Sequence, residues 1–169
     1  MRNGMAKKIA LGGILAALAI VVLCLGGLIP LATFVCPVIC ILICSMVRYF
    51  CGDRIAWSWY LCVAILSILL GPDKEAAAVF LFLGHYPIWR HFVQKMKFRW
   101  IVKILYFNSS VCVMYALLIY ILGMQQILAD YSELGILGLV ILLALGNLTF
   151  ILVDSLLGIF EKRMQKHGK

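Results

Sequence analysis

Charge is what this chain has least of. Asp, Glu, Lys and Arg together make up 13% of its 169 residues, against about 25% in soluble domains. Hydrophobic residues make up 65%, and the mean hydropathy is +1.09. That shortage excludes a water-soluble fold, because too few polar side chains remain to cover a globule. Acidic groups are scarcer still, 7 against 15 Lys and Arg, which leaves a formal net charge of +8. An excess of that size can mark a nucleic-acid binder. Here the cations stand in short clusters between apolar runs and not along one amphipathic face, which argues against nucleic acid as a partner. The chain also lacks the patterns that bring side chains to chemistry: there is no H-E-x-x-H, no phosphate loop, no G-x-S-x-G and no pair of carboxylates at compatible depth. No enzymatic activity and no cofactor are expected, and active transport would have to draw its energy from a partner or an ion gradient. No repeat, low-complexity tract or linker divides the chain, which reads as a single transmembrane domain over residues 1–169.

What the sequence does have is a succession of apolar runs punctuated by charges, Pro and Gly. They predict an all-α integral membrane protein, a bundle of about six transmembrane helices at 9–29, 33–50, 55–71, 75–92, 100–123 and 134–160. Arg2, Lys7 and Lys8 before the first run imitate a signal peptide. That run, however, exceeds the roughly 7–15 residues of such a segment and shows no A-x-A cleavage site, so it is read as the first span. The fourth span is interrupted by Glu75, His85, Pro87 and Arg90; a re-entrant segment would look much the same, and losing it would leave five spans with the C-terminus outside. Charge placement favours six. With the N-terminus inside, every Lys and Arg except Lys74 then falls on the inner side, and the remaining outer charges are Asp73, Glu75, Asp130 and Glu133. The expected location is the cell membrane with both termini cytoplasmic, the lipid bilayer being the first partner.

Several residue groups within that frame are candidates for function. In the first span Ala6, Ala10, Gly13 and Ala17 follow an i, i+4, i+7, i+11 series along one helical face, which Gly12, Ala16 and Ala19 widen. Such a groove lets another helix approach closely in lipid, either inside the chain's own bundle or from a partner, and its position beside Lys7 and Lys8 puts it at the cytoplasmic end. Between spans three and four, Pro72 ends one helix, Asp73 can cap the next and Glu75 suits its positive first turn. Alternatively Asp73, Lys74 and Glu75 hydrogen-bond a polar solute arriving from outside. His85, Asn108 and Asn147 fall near the middle of their spans, where a polar side chain needs a partner. If they converge they form a hydrogen-bonded clasp or the floor of a substrate pocket. Asp154, nearer the inner end, calls for a cation, and Arg48 or Arg54 would suit it. Cys36, Cys40 and Cys44 repeat every four residues in span two. Soft-metal or thiol chemistry with His85 is the sharper reading of them, but without a Cys-x-x-Cys pair small-residue packing is preferred and no metal site is expected. Trp57, Trp59, Tyr60, Trp89, Trp100, Tyr106, Tyr120 and Tyr131 read mostly as interfacial aromatics. The basic stretch from Arg90 to Lys103 reads as a topogenic signal that could also meet anionic lipid.

The N-terminal run from Ala6 to Leu18, AKKIALGGILAAL, together with the six short spans and small size, resembles the substrate-binding S components of energy-coupling factor (ECF) transporters. The resemblance implies that Ala6 and Ala10, and more loosely Gly13 and Ala17, contact a transmembrane coupling protein driven by two cytoplasmic ATPases. It also implies a solute pocket in the outer half, near Gly71 to Glu75 and a Gln125 to Glu133 loop. The segments Pro72 to Ala77 and Gly84 to Pro87 are similar to a family of small S-component-like bacterial membrane proteins. The signatures of the thiamine, riboflavin, biotin and folate members are missing, so no particular solute is implied.

Overall fold

A computed structural model describes residues 2–26, 32–121, 123 and 125–167, with side chains at 2–4, 125–136, 139 and 165–167 left out of the description. The chain is all-helical over this range: α1 Arg2–Leu25, α2 Ala32–Cys51, α3 Asp53–Leu70, α4 Lys74–Leu83, α5 Tyr86–Gln94, α6 Arg99–Tyr120 and α7 Gln125–His167. Five of these carry a stretch long and apolar enough to cross a membrane: Met5–Leu25, Ala32–Cys51, Asp53–Leu70, Arg99–Tyr120 and Val140–Met164. The expected spans two, three and five agree with α2, α3 and α6 to within three residues at each end. Residues 27–29 of the expected first span lie outside the described residues.

The expected fourth span is two helices with Gly84 and His85 between them. Pro87 lacks the N–H that an unbroken helix would donate to the carbonyl of Leu83. A Cβ on Gly84 would stand 2.4 Å from the Phe80 carbonyl oxygen and 2.8 Å from its ring. Helical bonding resumes beyond the break, where the N–H groups of Ile88 and Trp89 both donate to the His85 carbonyl at 3.0 and 3.4 Å. Helix α4 is the innermost element: Ala76, Ala77, Ala78, Val79 and Phe80 are all buried, as expected for a helix apolar on every side. Helices α2, α3 and α6 pack around it, while α1 lies outside against α2 and α3.

The last span departs most from expectation. Residues 125–133, expected to form an outer loop, are the first turns of α7, which continues to His167. At 43 residues the helix is about 65 Å long, roughly twice the hydrocarbon thickness of a bilayer. The stretch QQILADYSEL is polar but contains no Gly or Pro, so it carries polarity without a local signal that ends a helix. The preceding turn instead uses Gly123 in the left-handed region, φ 65°. The side chains of Asp130 and Glu133 lie outside the described residues.

Candidate functional site

The turn between α3 and α4 is built from its own charges. Asp73 caps α4, one carboxylate oxygen accepting from the backbone N–H groups of Glu75 and Ala76 at 2.9 and 3.1 Å. Its other oxygen accepts from the Thr33 hydroxyl at 2.7 Å. Lys74 does the reverse for α3, its ammonium donating to the carbonyls of Ile68 at 2.7 Å and Gly71 at 3.0 Å. Glu75 accepts from the Tyr115 hydroxyl at 2.7 Å, which ties the turn to α6. All three charges therefore engage groups of the chain itself, helix ends in two cases.

Of the three mid-span polar residues, two meet. Asn108 and Asn147 exchange amide hydrogen bonds at 3.0 and 3.4 Å and so clasp α6 to α7. His85 stands apart, its Nε2 3.1 Å from the Tyr106 hydroxyl, with its ring against Tyr60 and Trp57. It sits at the helix break, and the neighbouring tyrosines are what make the break tolerable in an apolar setting. Tyr60 from α3 donates to the carbonyl of Leu81, and Tyr106 from α6 donates to that of Phe82 at 3.0 Å. Backbone acceptors at the end of α4 are thus answered by hydroxyls from both flanking helices, as interrupted helices in membranes require.

Beyond the break, α5 carries the most strongly charged part of the interior. Arg90 is 4% exposed and Lys103 6%, although both belong to the stretch that reads in the sequence as a topogenic signal. Arg90 Nε donates to Asp154 Oδ1 at 2.7 Å, Nη2 to the Asp154 carbonyl at 3.1 Å and Nη1 to Glu161 at 2.5 Å. With its amide oxygen facing the guanidinium, Gln94 accepts from both terminal nitrogens at 2.7 and 2.8 Å. Lys103 reaches the other Asp154 oxygen at 2.5 Å, and the Tyr86 hydroxyl donates to Oδ1 at 2.7 Å. The expectation that Arg48 or Arg54 would pair with Asp154 is corrected here. Arg48 instead pairs with Asp53 at 2.9 Å, lies 3.6 Å from Glu161 and donates to the Pro87 carbonyl at 2.7 Å. The broken helix sets this choice, because it brings Arg90 on α5 to the height of Asp154 on α7. Three cations, Arg48, Arg90 and Lys103, thereby face three carboxylates, the exposed Asp53, the buried Asp154 and the half-buried Glu161, and the buried members of the group need such partners. Gly158 makes room for it: a Cβ there would lie 2.9 Å from Arg90 Nη2. A cavity of about 280 Å³ opens beside the network, lined by Ser45, Arg48, Tyr49, Asp53, His91, Gln94 and Glu161.

Helix α1 carries two small-residue stripes, not one broad face. Gly12 and Ala19 are buried and Ala16 is half-buried; a Cβ on Gly12 would lie 3.8 Å from Ile55, and Cys40 donates its thiol to the Ala19 carbonyl at 3.4 Å. Those three residues do not widen the other stripe but lie roughly 120° round the helix from it. Ala6, Ala10, Gly13 and Ala17 are exposed, and a Cβ on Gly13 would meet nothing within 4 Å. The stripe Cys36, Cys40, Cys44 is buried in the bundle, and among the described residues no group of three or more His, Cys, Asp or Glu side chains gathers as a metal site would require. Comparison with family models, with curated proteins and with solved structures finds no match to this chain.

Proposed function

We propose that this chain is a multi-pass membrane subunit that acts through a partner protein, seating a transmembrane helix of that partner on the outward face of α1. The observation that carries the reading is the division of labour on α1. The Gly12, Ala16 and Ala19 stripe provides the close approach needed for packing within the chain. Ala6, Ala10, Gly13 and Ala17 repeat the same device on a face that nothing among the described residues covers. In this reading α4 and α5 form a broken fourth crossing: laid end to end, residues 74–94 extend about 30 Å, the thickness of the hydrocarbon core. Both termini then lie in the cytoplasm, on the side of the basic clusters.

The resemblance to ECF S components supplies the partner class, a transmembrane coupling protein with two cytoplasmic ATPases, and extends the reading to solute uptake. A specific observation favours that extension. The break at Gly84 and His85 falls midway along α4 and α5, and interrupted helices near mid-depth mark the binding sites of many transporters. The engaged outer turn favours the other version, a non-transporting scaffold or assembly factor. Co-purification of the tagged chain from native membranes in mild detergent tests the docking itself. The paired substitution Gly13→Leu and Ala17→Leu is expected to lose a partner that wild type retains, with no change in thermal midpoint. Retention of that partner by the double variant would sink the proposal. A recovered coupling protein with ATPases supports uptake; loss of a different membrane complex supports the scaffold.

A further inference from the structure

The cations at the α5 end of the molecule sort into two populations. Arg48, Arg90 and Lys103 are tied to carboxylates. Lys95 and Lys97, in the connection from α5 to α6, and Arg99, the first residue of α6, are exposed and have no ion pair among the described residues. The apolar side chains around them are exposed too: Phe92 is 62% exposed, Phe98 65% and Trp100 52%. Helix α5 explains the arrangement. Its Tyr86, Arg90 and Val93 turn inward, so Trp89 and Phe92, three residues apart, share the outward face. An outward face of that character suits hydrocarbon, and the cations that follow it stand where the chain leaves hydrocarbon for water. Trp100 lies under the Lys103 ammonium, 5.5 Å from nitrogen to ring centroid. Because Lys103 is itself held by Asp154, the buried network fixes this aromatic anchor beside the unpaired cations.

From this juxtaposition we propose that the segment from Trp89 to Trp100 is a docking surface for a net-anionic phospholipid. Its headgroup phosphate meets Lys95, Lys97 and Arg99, and its acyl chains lie along Trp89 and Phe92. Charge complementarity selects the occupant. Three unpaired cations above an apolar base match an amphiphile with an uncompensated negative headgroup, whereas phosphatidylcholine would bring its own cation into the same plane. The inference is independent of what α1 docks.

The full chain reconstituted in phosphatidylcholine vesicles doped with phosphatidylglycerol provides the test, read as quenching of tryptophan fluorescence by lipids brominated on their acyl chains. Bromine on phosphatidylglycerol is expected to quench at least about threefold more per molecule than bromine on phosphatidylcholine, and added salt should erode the difference. Trp89→Phe with Trp100→Phe should remove the selective part of the signal. Lys95→Gln, Lys97→Gln and Arg99→Gln together should bring the two lipids level. Equal quenching in the wild-type chain overturns the proposal without reference to any variant. A preference that survives the triple substitution also overturns it, since cations elsewhere would then be responsible.

Discussion

Asp154 is the residue on which most of the interior depends. Its carboxylate holds Arg90, Lys103 and the Tyr86 hydroxyl, so Asp154→Ala leaves two buried cations with too few acceptors. Loss of one member of a buried ion group costs about 3–5 kcal/mol. A correspondingly large fall in thermal midpoint in detergent is expected, and replacing Arg90 and Lys103 by Met in the same chain should restore most of it. The paired glycines separate space from flexibility. Gly158→Ala drives a methyl into a guanidinium that several partners hold in place and is expected to cost about 1–3 kcal/mol. Gly13→Ala enters open space and should leave the isolated chain's stability unchanged or slightly raised, since Ala is the better helix former. Two unfolding curves decide both. An acid inside an apolar run announces a need for a cation, and that much was legible for Asp154. Which cation answers depends on the heights that a broken helix gives its neighbours, and neighbouring sequence does not record those heights.

At the scale of elements, the α4–α5 break is held by side chains of other helices. Tyr60→Phe and Tyr106→Phe each remove one hydrogen bond to a backbone carbonyl at the end of α4. Each is expected to cost about 1 kcal/mol. Because the two hydroxyls answer adjacent carbonyls, the double variant is expected to depart from additivity, which chemical denaturation of the three variants would measure. The turn before α4 follows a more local rule. Asp73→Ala removes an N-cap and should cost about 1 kcal/mol, and Asp73→Asn should recover part of that in the same assay. The cap was legible, since Pro72 and Asp73 are local signals; the break was legible only as an interruption at His85 and Pro87 of a span expected to run from 75 to 92. The helical start of α7 was not, because a polar stretch free of Gly and Pro reads as the end of a membrane run and says nothing about whether the helix stops there.

For the whole molecule, the question is parity. Among the described residues five helices are long and apolar enough to cross a bilayer unaided, which alone would put the termini on opposite sides; α4 with α5 as a sixth crossing would put them on the same side. Reporter fusions at the N-terminus and after His167 are expected to report the cytoplasm in both cases. Opposite sides would make the α4–α5 unit re-entrant and remove the basis for an inward C-terminus. The sequence by itself determined the class of molecule, because a shortage of charge and a supply of long apolar runs point to helices in a membrane, and it determined the N-cap at Asp73, which follows from a single residue acting on its own backbone. Only the tertiary structure decided which face of α1 stays free, which asparagines meet and which cations are buried, because those outcomes depend on the rotation and height of one helix against another, set by packing across the bundle.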